Sequence, residues 1–201
     1  LQGSVASTNG AFTVVANETV ANGVTDTSRS AGAAAVTMTV GKNINVGTGA
    51  VNMQIHTGAG LTNSTSGDMT IRAVTADSID IENHGPTAAS AVSLNNALTA
   101  NTGVVYVSTD NGDIALSTDV VTNNATLTAI KVVANNVTLS GTPVIKTGAS
   151  GLVTLFSNLD TTLSSDFTMG NWGGSSGGFA LTAGRSVLVN GNIVTTNGVV
   201  N

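Results

Sequence analysis

Between Gly177 and Gly198 apolar residues alternate with polar ones in short bursts: Phe179 and Leu181, then Val187 and Val189, then Ile193, with AGRS and NGN between them. A period of two marks a strand with one buried face, and the three-and-four spacing of an amphipathic helix persists nowhere in the chain. The leading unit, G-x-h-x-h-x-A with h apolar, recurs at Gly10 (GAFTVVA) and Gly67 (GDMTIRA). It returns with a changed last residue at Gly49 (GAVNMQI), Gly112 (GDIALST) and Gly151 (GLVTLFS), and without its glycine at Ser90 (SAVSLNN) and Thr128 (TAIKVVA). A weaker start lies at Gly32, and another at Gly198.

Taken as the starts of successive turns, these positions lie about 21 residues apart, a period typical of solenoids. Small and polar residues fill the gaps between apolar pairs, as expected of tight corners. One such turn cannot bury its own apolar face, so it must stack on neighbours. The pattern predicts an all-β chain, a parallel β-solenoid of about nine to ten turns occupying residues 1–201 as a single domain. Gly10, Gly49, Gly67, Gly112, Gly151, Gly177 and Gly198 are its expected turn glycines. An antiparallel sandwich would also use many short strands, but it would not need one glycine-led unit to recur.

Composition narrows the setting. Charged residues make up only 8% of the chain and aromatics 3%, so Thr, Ser and Asn must cover the surface. Six Lys and Arg against eleven Asp and Glu leave no basic footprint for nucleic acid, which is not expected as a partner. Cysteine is absent, which removes disulfides, thiolate metal sites and Cys nucleophiles. No apolar run approaches the roughly 20 residues that span a bilayer, so membrane insertion is not expected either. The opening LQGSVASTNG lacks the basic and apolar parts of a signal peptide and an initiating Met, and is read as belonging to a processed product or a piece of a longer protein.

GDMTIRAVTADSIDIEN, GDIALST and GGFALTAGRSVLVNG resemble the haemagglutinin-type repeats of filamentous haemagglutinin-like adhesins, exoproteins of two-partner secretion. The resemblance runs through most of the chain from Gly10 onward and is weakest at Gly32 and at residues 97–111. It implies a right-handed parallel β-helix at the cell surface or in an extracellular fibre, with a role in adhesion, aggregation or scaffolding. The family's Asn-Pro-Asn-Leu secretion signature has no counterpart, since the chain's prolines are Pro86 and Pro143.

Chemistry-bearing residues are few. Asp110 and Asp113, with Asp77, Asp80 and Glu82, offer carboxylates of the kind that β-helical polysaccharide-cleaving enzymes use. The simpler expectation is that Asn111-Gly112-Asp113 is a turn and that Asp80 and Glu82 point outward while Ile79 and Ile81 point in. NWGGSSGGF lacks the aspartate of a calcium-binding β-roll, and His56 and His84 lack companions at metal-ligand spacing. No metal or cofactor is therefore expected. Trp172 in its glycine-rich loop, together with His84, is the candidate contact for a partner. Asn17, Asn63, Asn124 and Asn136 match the glycosylation acceptor pattern, and Thr-x-Thr does not recur on the period as an ice-binding face would require.

The function expected is a non-catalytic rod of a secreted or cell-surface bacterial filament. Its expected partners are identical subunits or flanking repeats stacked end to end, and host or cell-surface glycans or proteins. The alternatives are a carbohydrate-active β-helix, lyase or hydrolase, and a glycan- or receptor-binding module built on loops 83–91 and 171–178.

Overall fold

The computed structural model describes residues 1–16, 20–21, 24–25, 34–55, 66–84, 90–171, 178–195 and 198–201. The chain winds as a right-handed parallel β-solenoid with three faces. The first face stacks Val5–Ala6, Asn43–Asn45, Ala73–Ala76, Leu98–Ala100, Val120–Thr122, Val144–Thr147, Phe167–Asn171 and Ile193–Thr195. The second stacks Phe12–Ala16, Val51–Ile55, Ile79–Asn83, Val105–Thr109, Ile130–Ala134, Leu152–Ser157 and Gly178–Ala183. The third stacks Ala34–Thr37, Ser66–Ile71, Val92–Leu94, Asp113–Leu116, Asn136–Leu139, Asp160–Leu163 and Ser186–Val189. A small antiparallel pair, Val20–Ala21 with Val24–Thr25, lies in the first connection from the second face to the third.

The described residues thus form seven three-sided coils and the start of an eighth, fewer and longer than the repeat spacing predicts. On the first face Val74, Leu98, Val120, Ile145 and Met169 stand in register, so a coil there takes roughly 24 residues, still within the solenoid range. The discrepancy has a simple cause. The units starting at Gly10, Gly49, Thr128 and Gly151 lead into second-face strands, whereas those at Ser90 and Gly112 lead into the third face and Gly67 lies within a third-face strand. Both faces need the same alternation after a corner, so counting both kinds of start gives too many turns.

Alternation within each strand sends every second residue inward, and parallel register stacks these residues from coil to coil. Val51, Ile79, Val105, Ile130, Val153 and Phe179 form one such ladder, and Met53, Ile81, Val107, Val132 and Leu155 another, all at most 1% exposed. The third face contributes Ile71, Leu94, Leu116, Leu139 and Leu163. Each such side chain stabilises the stack by about 1.5–3 kcal/mol through burial. Near the C-terminal end Phe167 and Phe179 tilt against each other inside the rod, ring centroids 4.8 Å apart.

Corners set the remaining constraints. A Cβ at Gly49 would overlap the carbonyl of Gly10 in the preceding coil, and one at Gly112 would overlap that of Ser90. These glycines are required by close coil-to-coil approach. Gly10 and Gly151 also precede strands, whereas Gly67 lies inside Ser66–Ile71, where the register against Ala34–Thr37 shifts. That extra residue is a β-bulge, so the glycine-led unit here marks a bend in a strand. Gly198 accepts a bond at its carbonyl from Thr195 Oγ1 (2.9 Å), and Gly177 lies outside the described residues.

Candidate functional site

Most aspartates hold neighbouring coils together. Asp113 Oδ1 accepts from the backbone N–H (3.1 Å) and side-chain Nδ2 (2.8 Å) of Asn136, and Asn136 Oδ1 accepts from the N–H of Asp160 (3.2 Å). Asp160 in turn receives the guanidinium of Arg185, with Nε 2.9 Å from Oδ1. At the next corner Asp119 accepts the N–H of Val144 (2.8 Å) and Asp166 that of Asn192 (2.9 Å). Asp77 receives the hydroxyl of Thr102 at 2.7 Å. In each case a carboxylate or amide oxygen satisfies a donor one coil further on, at a corner where the backbone ladder is interrupted. Asp113 is therefore committed to a structural bond and stands apart from the other candidate carboxylates.

Inside the rod small polar residues do the same work. Thr109 Oγ1 donates to the Ser90 carbonyl (2.6 Å) and accepts the N–H of Gly112 (3.0 Å). Thr122 Oγ1 donates to the Gly103 carbonyl (2.6 Å), and the hydroxyls of Ser157 and Thr161 meet at 2.9 Å. All four residues that supply these hydroxyls are buried, so each hydroxyl meets its hydrogen-bonding need with a partner in the protein.

One outward cluster differs. On Ile79–Asn83 the inward side chains are Ile79, Ile81 and Asn83, while Asp80 and Glu82 face outward, as alternation predicts. Gln54, one coil earlier, donates to Glu82 Oε1 at 3.1 Å. His84 Nε2 lies 3.4 Å from Glu82 Oε2, and its Nδ1 lies 3.3 Å from Asp110 Oδ2 in the following coil. Both ring nitrogens thus face carboxylate oxygens, and a ring carrying hydrogens on both donates to both. Burial first, and then the charge of adjacent Glu82, push the Asp80 carboxyl up to about 6, against the opposing influence of His84. Among the described residues Asp80 Oδ1 is buried without a hydrogen-bond partner, as is Oδ1 of Asn52 in the same column. Further along this column Tyr106 pairs with Asp80, and Lys131 Nζ sits 5.7 Å from the centre of the Tyr106 ring.

Asp80, Glu82, His84 and Asp110 are therefore brought together, while Asp77 and Asp113 serve corners. Sequence reasoning had no means of adding Gln54 and Lys131, which join only through the register of neighbouring coils. Among the described residues no group of three or more His, Cys, Asp or Glu is arranged to hold a metal ion. Asn124 and Asn136 use their side-chain nitrogens in coil-to-coil bonds, to the Thr102 carbonyl (2.9 Å) and to Asp113. Trp172, His56, Asn17, Asn63 and most of loops 83–91 and 171–178 lie outside the described residues.

Comparison with protein-family models, with curated proteins and with solved structures finds no match to this chain. The parallel β-solenoid agrees with the resemblance to filamentous haemagglutinin-like adhesins at the level of fold and is not specific to that family.

Proposed function

We propose that this chain is a shaft: a non-catalytic rod of a secreted or cell-surface bacterial filament, serving attachment, aggregation or scaffolding. The observation that carries the reading is the uninterrupted register of aliphatic ladders, which makes each coil the platform for the next. Seven coils give a rod on the order of 35 Å, and further coils of the same make lengthen it without changing its section. The last coil supports stacking on flanking repeats or identical subunits. Val187 and Val189 hold ladder positions that are buried in preceding coils, yet here they are 43% and 48% exposed. A surface of Thr, Ser and Asn with few charges fits an extracellular setting.

Negative-stain electron microscopy of the purified chain, with a bead-attachment assay on cells, tests the reading. Thin rods that join end to end and mediate attachment are expected. Dispersed short particles with no end-to-end contact and no attachment would refute it.

The carbohydrate-active reading draws on Asp80, a carboxyl raised to about 6 beside Glu82. Asp80 and Glu82 share the outward face of a single strand and so project side by side, unlike carboxyls that flank a scissile glycosidic bond. Release of reducing ends from acidic polysaccharides, abolished by Asp80→Asn, would establish this second reading; no release from any of them retires it.

A further inference from the structure

An acidic chain that spends two of its six cations on one groove invites a question about what the groove holds. Between the third and first faces, where three successive coils turn, lies a groove of about 390 Å³ lined by Lys42, Asn43, Arg72, Asn95 and Asn96 with Val40 at its rim. The volume is that of a small-ligand site. Among the described residues no carboxylate lines it, and neither Lys42 nor Arg72 has a carboxylate within ion-pair distance. Elsewhere Arg185 is paired with Asp160 and Lys131 lies over Tyr106.

The backbone of Lys42 and the side chain of Arg72 are held in place. Gly41 adopts a φ of +77°, and the N–H of Lys42 closes the turn onto the Thr39 carbonyl at 3.1 Å. Arg72 rests its Nε against the Met38 carbonyl, and its backbone N–H against the Met38 sulfur, each at 3.4 Å. Both side chains are half-buried, which weakens solvent screening of their charge. Around them Asn43, Asn95 and Asn96 are exposed and offer amide donors and acceptors.

We propose that this groove binds a carboxylate-bearing sugar unit of an acidic polysaccharide. A guanidinium and an ammonium meet the carboxylate, and three carboxamides match the neighbouring hydroxyls. Among the described residues the lining has no aromatic anchor of the kind a protein partner needs, and two cations are too few to track a nucleic-acid backbone. The inference goes beyond the shaft reading, because the groove would act alike on a rod of any purpose.

The test is a titration of ¹⁵N-labelled protein with trigalacturonate, with maltotriose and triglutamate as comparison ligands, read by amide shifts. Saturable shifts centred on Lys42, Arg72, Asn95 and Asn96 are expected with trigalacturonate alone. Lys42→Gln should weaken binding at least about tenfold. Arg72→Lys should weaken it less, because it keeps the charge and loses the fork. Lys131→Gln, on another face, should leave it unchanged. Equal binding of maltotriose or triglutamate overturns the proposal. So does an equal loss in Lys131→Gln, or trigalacturonate binding that Lys42→Gln does not weaken.

Discussion

The first three coils and the later ones share their core ladders and differ at one corner. From the second face to the third, the early connections are long, running from Ala16 to Ala34, from Ile55 to Ser66 and from Asn83 to Val92. The later ones are short, from Thr109 to Asp113, Ala134 to Asn136, Ser157 to Asp160 and Ala183 to Ser186. Apart from the bulge at Gly67, ladder register is nevertheless kept across both regions, as Ile55 pairs with Asn83 and Leu139 with Leu163. Register is therefore set by which side chains must lie inside, and connection length is free to vary. The polar cluster around His84 and the Lys42–Arg72 groove both begin in the region of long connections, while the tight-cornered region carries the Asp-to-next-coil bonds in close succession.

Damage to the shared ladders should have the largest effect. Leu98→Ala, between Val74 and Val120 and fully buried, should cost about 2–5 kcal/mol, read by denaturant unfolding followed by circular dichroism. If so large a loss were absent, register would have to be set by corners. A tight corner comes next: Gly112→Ala drives a Cβ into the Ser90 carbonyl and should cost on the order of 2 kcal/mol. Gly41→Ala, where a Cβ meets nothing within 4 Å and only the positive φ is strained, should cost about 1 kcal/mol, and the ratio of the two separates crowding from conformation. Asp119→Ala, which removes the acceptor for the Val144 N–H, should cost about 1 kcal/mol.

The smallest effect concerns pH. Asp80 is harder to ionise in the fold than in the unfolded chain, so its stabilising contribution is full below about pH 4 and is lost as pH rises through about 6. Partial solvent exposure holds the change to on the order of 1 kcal/mol. Asp80→Asn should therefore remove a decline in melting temperature between pH 4 and 7 and melt above the native chain at pH 7.5. A decline of unchanged size in the variant would assign it to other groups.

Strand alternation and the solenoid class are legible in the sequence, because buried and exposed positions differ in composition. The length of a coil is not, because corners leading to two faces carry the same glycine-led unit. That one error hides the cluster: a step of one expected turn from His84 reaches Val105, whereas the longer coil of the structure brings it to Asp110. Asp80 and Glu82 are visible as an outward pair within one strand. Gln54 and Lys131 are invisible until strands are set in register. The inward Thr109, Thr122 and Ser157 look like breaks in an apolar pattern, and only the corner carbonyls and hydroxyls they meet explain them.

The ladder bonds between coils run along the rod's long axis, and this governs how the molecule yields to tension. Pulled from its two ends, the stack opens from an extremity, one rung after another, like a zipper. Each freed rung of about 24 residues adds roughly 80 Å of slack. A tether of this kind lengthens many times over under load while the rungs still stacked keep their shape.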